Sequence, residues 1–120
     1  MHQTYASLEP YITKDGSEIR ELMHPGVHGN RNQSLAEARV PAGGKTHRHQ
    51  HRISEEIYHI TRGEGWMILG DRRFAIARGD TVCIQPGISH ALENPGPDVL
   101  VVLCSCSPAY SHDDTVLIGD

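Results

Sequence analysis

The 120-residue chain lacks several features that would assign it to a broad functional class. No apolar run approaches the length of a membrane span, and residues 1–10 lack the basic and apolar regions of a signal peptide. The formal net charge is −4, with acidic and basic residues interspersed and no basic stripe. We therefore expect a cytoplasmic protein that binds neither membranes nor nucleic acid.

Cysteine is scarce, and its number is odd. Cys83, Cys104 and Cys106 are the three cysteines of the chain. An odd number without an export signal fits reduced thiols inside strands better than a disulfide framework. Cys104 and Cys106 share a strand face and could bind a metal, but their apolar surroundings favour small buried hydrophobic residues.

Turn-forming residues are dense, and the segments between them are short. Glycine, proline and aspartate pairs separate strand-like runs at residues 35–40, 56–61, 66–69, 72–76, 81–84, 90–94 and 99–104. Short strands at such spacing predict an all-β sandwich or barrel. The run 99–103 does not alternate, which predicts a strand buried on both faces that could lie under a partner subunit.

Histidine is abundant, and its pattern is informative. His47, His49 and His51 alternate, Glu55 and Glu56 follow, and His90 lies beyond a Gln-Pro-Gly turn. Side chains at i and i+2 of a strand share a face, so an H-x-H pair can hold one ion. Imidazole and carboxylate ligands suit divalent Mn, Fe, Ni, Zn or Cu.

The spacing of these residues resembles the two motifs of the cupin family. The first motif spans Gly43 to Gly63, with His49, His51 and Glu56 at the family intervals. The second spans Gly79 to Asn94 and contains Gln85-Pro86-Gly87 and His90, with Gln85 where the family usually has proline. The resemblance covers roughly residues 35–106 and implies a double-stranded β-helix, or jelly-roll barrel. It also implies one divalent metal ion per chain, bound by His49, His51, Glu56 and His90.

Two neighbouring residues compete with this ligand set. Pairing His47 with His49 leaves too many residues before either glutamate for the family spacing. Choosing Glu55 makes the run to Gly63 one residue too long. Strand parity also separates the two glutamates, because Glu56 shares a face with Tyr58 whereas Glu55 lies on the other face.

The resemblance leaves the reaction open. Three imidazoles and one carboxylate leave two adjacent positions of an octahedral ion for substrate oxygens, so we expect a small chelating substrate that is rich in oxygen. An isomerase, epimerase or lyase acting by enolisation is the first hypothesis. An Fe(II)-dependent dioxygenase and a non-catalytic binding module are the alternatives. Tyr58 could exchange a proton near the metal, or it could be a packed aromatic residue.

The resemblance is to small single-domain cupins described as similar to mannose-6-phosphate isomerase, although no phosphate-binding pattern is present. We expect one domain, with an N-terminal extension (1–34), a barrel core (about 35–106) and a tail (107–120). A strand is expected near residues 19–23, and a solvated segment is favoured over a second metal site at 112–114. Because the apolar run 99–103 and outward-facing Ile57 would leave apolar surface, we expect a homodimer.

Overall fold

The computed structural model describes residues 1–119, and antiparallel strands make up most of its regular structure. The strands are β1 (Tyr11–Ile12), β2 (Glu18–Met23), β3 (Ser34–Val40), β4 (His49–His51), β5 (Glu55–Arg62), β6 (Glu64–Leu69), β7 (Arg72–Ala77), β8 (Thr81–Ile84), β9 (His90–Glu93), β10 (Leu100–Ser107) and β11 (Thr115–Leu117). The helical segments are a 3-10 turn at Tyr5–Ser7 and α1 at Pro25–His28. Neither helix is long and apolar enough to cross a membrane.

The strands form two sheets between which the chain passes repeatedly. One sheet has six strands in the order β1-β2-β3-β10-β5-β8, and the other has five in the order β11-β4-β9-β6-β7. From β3 to β6 each successive strand lies in the other sheet, and the same is true from β7 to β9. This winding is the double-stranded β-helix, so the predicted all-β jelly-roll fold is confirmed.

Burial alternates along the strands as the sequence parity predicts. In β3, Ser34, Ala36, Ala38 and Val40 are buried. In β5, the residues Glu56, Tyr58 and Ile60 are buried while Glu55 and Ile57 are exposed. The alternation identifies the inner face of the six-stranded sheet.

The inner face changes in polarity from one end of the barrel to the other. The pairing register aligns Ser34, Cys106 and Glu56 in one transverse row. The row at the opposite end pairs Val40 with Leu100. Large apolar side chains fill that end, where Ile60, Leu100 and Val102 have no measurable exposure. The polar end is left for a binding site.

Strand β2 confirms the expected N-terminal strand and joins the six-stranded sheet through β3. In the C-terminal segment His112 and Asp113 are exposed as expected, but residues 115–117 form a strand that we did not predict. Thr115 and Leu117 of β11 pair with His51 and His49 of β4. The Asp114 carboxylate accepts hydrogen bonds from the backbone N–H groups of residues 53 and 54. A three-residue strand has too little sequence for a periodic pattern, and Asp120 lies outside the described residues.

The middle of the apolar run at 99–103 is buried on both faces, as predicted. Leu100, Val101 and Val102 are at most 4% exposed, whereas Val99 and Leu103 are half-buried. Strand β10 lies between β3 and β5 in the middle of the six-stranded sheet. The expectation that this run leaves apolar surface is wrong for residues 100–102, and the homodimer itself stays a prediction.

Two motif glycines allow a test of close backbone packing. Gly63 and Gly79 both have φ in the left-handed region, at 81° and 94°. A Cβ on Gly63 would collide with the carbonyl oxygen of Val99, whereas one on Gly79 would meet no described atom within 4 Å. Because both variants share the backbone strain, Gly63→Ala should lower the free energy of unfolding by about 1–3 kcal/mol more than Gly79→Ala. Urea denaturation measures this difference, and equal losses would contradict it.

Candidate metal centre

Four polar side chains meet between the two sheets at the polar end of the barrel. His49, His51 and His90 come from the five-stranded sheet, and Glu56 comes from the six-stranded sheet. All four are at most 5% exposed. One potential ligand atom from each residue lies within 4.8 Å of the others. The structure thus brings together the four residues that the motif spacing predicts.

Local geometry explains this convergence. His49 and His51 project inward from β4 on the same face. His49 lies directly opposite His90 on β9, and their ring centroids are 4.2 Å apart. The bend at residues 52–54 then carries the chain across to β5, which places Glu56 at the start of that strand.

Hydrogen bonds orient each ring so that Nε2 faces the centre. Nδ1 of His49 is 2.9 Å from the carbonyl oxygen of His47, and Nδ1 of His90 is 3.0 Å from that of Ile88. Because a carbonyl can only accept, each Nδ1 carries a proton, so Nε2 is the nitrogen available to a metal. Such outer hydrogen bonds are typical of metal-binding imidazoles.

His51 is oriented by a residue from the C-terminal strand. Its Nδ1 lies 3.0 Å from the Thr115 hydroxyl oxygen, and that hydroxyl donates to the carbonyl oxygen of Ser111. The hydroxyl oxygen therefore accepts from Nδ1 of His51, which leaves Nε2 of His51 facing the centre as well. The sequence analysis missed this contact, because 64 residues separate the two partners.

Glu56 is held from both sides. Its Oε1 is 3.1 Å from Nε2 of His51 and 3.3 Å from Nε2 of His90. Its Oε2 accepts a hydrogen bond from the Cys106 thiol at 3.1 Å. Burial alone would raise the pKa of the Glu56 carboxyl, but His51 and His90 hold that pKa well below its usual value.

Two of the four donors, Glu56 and His49, have the charge states that a divalent ion requires. Burial, with the neighbouring His90, lowers the pKa of His49 to about 4, so this imidazole is neutral at pH 7. The buried Nε2 of His90 has no well-formed hydrogen bond to any residue of the described chain. It lies 3.3 Å from Oε1 of Glu56, and a cation between them would bind both atoms. The residues present fit a metal ion.

The neighbouring candidates lie outside this cluster. His47 and Glu55 are both exposed, which agrees with the predicted motif spacing. The backbone carbonyl of His47 nevertheless orients His49. The backbone N–H of His47 donates to the carbonyl oxygen of Asp15. Asn94, at the end of the second motif, is a structural residue whose side-chain amide donates to the backbone carbonyls of Val40 and Asp98.

Tyr58 lines the same cavity and is 4% exposed. Its ring centroid is 5.7 Å from that of His90. Burial, together with the charge of Glu56, raises the pKa of the Tyr58 hydroxyl well above its ordinary value. The hydroxyl therefore stays protonated at neutral pH, and its catalytic role stays a prediction.

Asp15 is a cavity residue that the sequence analysis did not identify. It is 9% exposed, and its Oδ2 lies 3.7 Å from Nε2 of His49, the nitrogen that faces the centre. Its Oδ1 accepts hydrogen bonds from the N–H and hydroxyl groups of Ser17. An Asp-Gly pair is an ordinary turn sequence, so the residues around Asp15 gave no signal of this position.

Comparison with known proteins agrees with this geometry. The family model for the cupin domain matches residues 36–106. An uncharacterised protein of Methanocaldococcus jannaschii is 50% identical over 114 residues, which cover 95% of this chain and 91% of that protein. Its description adds no activity.

Solved structures share the fold but differ in their described chemistry. A predicted oxalate decarboxylase of Thermotoga maritima superposes with a TM-score of 0.78 at 25% identity, covering 90% of this chain and 99% of that one. The polyketide cyclase RemF of Streptomyces resistomycificus gives 0.83 at 18% identity, over 98% and 85% of the two chains. The nucleoside dehydratase Pac13 gives 0.80 at 14% identity, over 99% and 91%. With more than half of its length matched by the family model, the chain belongs to the cupin family.

Proposed function

We propose that His49, His51, Glu56 and His90 bind one divalent metal ion, and that the protein is an enzyme acting on a small, oxygen-rich chelating substrate. Isomerase, epimerase or lyase chemistry by enolisation is the proposed reaction class. The observation that carries this proposal is the convergence of three buried, inward-facing imidazole nitrogens on the buried Glu56 carboxylate, with one ligand atom of each residue within 4.8 Å of the others. The ion would be Mn, Fe, Ni, Zn or Cu, since all accept this donor set.

Enolisation needs a base that removes a proton from the carbon next to the carbonyl group and an acid that donates a proton to the carbonyl oxygen. A divalent ion in this site would polarise a carbonyl group and acidify a hydroxyl group. Asp15 supports the proposal as the base, because its Oδ2 faces the metal-side nitrogen of His49 while Ser17 holds its other oxygen in place. Tyr58, whose raised pKa keeps it protonated, can donate to a substrate oxygen.

An Fe(II)-dependent dioxygenase is the second candidate. The same three imidazoles and one carboxylate would suit iron, and the enclosed site would shield a reactive intermediate from water. A non-catalytic metal-dependent binding module is the outcome expected if ligands bind without turnover. Metal identity and O₂ consumption distinguish these alternatives.

Metal content tests the ligand assignment. Protein purified from metal-supplemented cells should contain about one ion per chain when measured by plasma mass spectrometry. His49→Ala should weaken metal binding by more than about tenfold, because loss of even an outer-sphere partner has an effect of that size. His47→Ala is the matched control and should retain the ion, since its backbone carbonyl still orients His49. Equal losses in both variants would refute the assignment.

Proton exchange tests the reaction class directly. Neutral hydroxyketones incubated in D₂O with the metal-loaded protein should incorporate deuterium at the carbon next to the carbonyl, as followed by NMR. Asp15→Asn should slow exchange by about 100-fold or more, within the range for a lost general base. Tyr58→Phe should lower turnover more than binding.

The controls separate the three functions. Metal-free protein should give no exchange, and metal-loaded Asp15→Asn should keep its metal content. Metal-dependent O₂ uptake without exchange would favour the dioxygenase. Tight ligand binding with neither exchange nor O₂ uptake would favour the binding module.

We also propose a two-fold homodimer formed through the outer face of the six-stranded sheet. Leu35 and Ile57 lie in one transverse row across Ser105 and are 38% and 40% exposed. A two-fold interface is the commonest way to cover such a surface. Light scattering should give twice 13.3 kDa. Ile57→Glu should halve that mass, whereas Ile53→Glu, in a loop and 68% exposed, should not. A monomeric wild-type protein would refute the proposal.

A further inference from the structure

The cavity at the candidate metal centre extends well beyond the four clustered residues. Its lining continues beneath β10 and β3 to Glu21 on β2. The pairing register places Glu21, Ala36, Cys104 and Tyr58 in one transverse row of the sheet. From β2 to β5 this row spans three strand spacings, about 14 Å along the sheet.

Small side chains make this extension possible. On the inner face of β3 the residues are Ser34, Ala36 and Ala38, and the facing β10 positions include Cys104 and Cys106. Larger residues at these positions would fill the space, as Ile60 and Leu100 do at the other end. Small side chains therefore line the cavity between the metal centre and β2.

A carboxylate with an unsatisfied oxygen stands at the far end. Oε1 of Glu21 accepts a hydrogen bond from the Tyr11 hydroxyl at 2.8 Å. Burial and the Glu21 hydrogen bond raise the pKa of Tyr11, so this hydroxyl remains a donor. Oε2 of Glu21 is buried and has no hydrogen-bond partner among residues 1–119. A buried carboxylate oxygen without a donor is costly, so this atom fits a ligand O–H or N–H group.

The charge of the lining restricts the ligand further. Asp15, Glu21 and Glu56 all line the cavity, and no lysine or arginine of the described chain does so. The ammonium of Lys14, beside Asp15 in sequence, is instead bonded to the backbone carbonyls of residues 112 and 115. Three carboxylates outweigh the charge of one divalent ion, so a dianionic ligand would be repelled in this low-dielectric space.

We propose that the cavity selects a small neutral or cationic ligand that reaches Glu21 and disfavours substrates that carry a phosphate or a second carboxylate. Chelating oxygens occupy the metal end, and a hydroxyl or ammonium group at the other end donates to Glu21. This inference rests on the proposed function, because it concerns the same site. It narrows the substrate class to polyhydroxylated or amino-bearing compounds and argues against both oxalate and sugar phosphates.

Three chelators of equal chain length provide the test. They are the hydroxamates of γ-aminobutyric acid and γ-hydroxybutyric acid and the monohydroxamate of succinic acid, which end in an ammonium, a hydroxyl and a carboxylate. Titration calorimetry with zinc-loaded protein should show the first two binding at least about tenfold more tightly than the third. Glu21→Gln should weaken binding of the ammonium compound by about tenfold or more, since a hydrogen bond to a charged group is lost.

Glu18→Gln is the matched control. Glu18 lies on the same strand but on the outer face, where its 42% exposed side chain contacts Arg20. This variant should keep the wild-type order of affinities. Equal or tighter binding of the carboxylate compound by the wild type would overturn the inference, as would identical affinities in the two variants.

Failure of this inference can be told apart from failure of the proposed function. If all three hydroxamates bind in a zinc-dependent manner with equal affinity, the metal site is supported and the proposal that Glu21 selects the ligand's end group is refuted. If zinc makes no difference to the binding of any hydroxamate, the proposed metal site and the inference are both overturned.

Discussion

The close approach of three buried imidazoles to one buried carboxylate is the constraint on which the rest of this structure depends. Four polar groups with almost no exposure would strongly destabilise a β-barrel unless their outer atoms were satisfied. Backbone carbonyls satisfy His49 and His90, Thr115 satisfies His51, and the Cys106 thiol satisfies Glu56. The inner atoms then face one another across the space that a cation would occupy.

This arrangement explains features of the fold that are otherwise unrelated. The short strand β11 places Thr115 beside His51 at the edge of the five-stranded sheet. Ile60 and Leu100 pack at the end of the barrel opposite the polar cluster. Cys106, which the sequence suggested was simply a small hydrophobic residue, is buried as expected but also donates to a candidate ligand.

Sequence reasoning succeeded where one local rule decides the outcome. Strand alternation places His49 and His51 on one face and separates Glu56 from Glu55. The resemblance to the cupin motifs then supplied the full set of four, including His90. It failed where long-range packing decides. Asp15 and Thr115 reach the site from turns or short strands that have no periodic pattern. The lack of alternation at 99–103 correctly predicted burial on both faces for residues 100–102, but it could not show that the strand lies between β3 and β5.

The candidate metal ligands alone cannot determine what a cupin does, because structures of the same fold are described as a predicted decarboxylase, a cyclase and a dehydratase. The discriminating information lies in the walls that the metal does not touch. In this chain, the residues that line the cavity between the metal centre and β2 are small, and Glu21 on β2 has a buried, unpaired carboxylate oxygen. Three carboxylates in the pocket would repel a dianionic ligand, whereas a hydroxyl or ammonium group would donate a hydrogen bond to the unpaired oxygen of Glu21. The electrostatics of the lining therefore narrow the chemistry more than the donor set does.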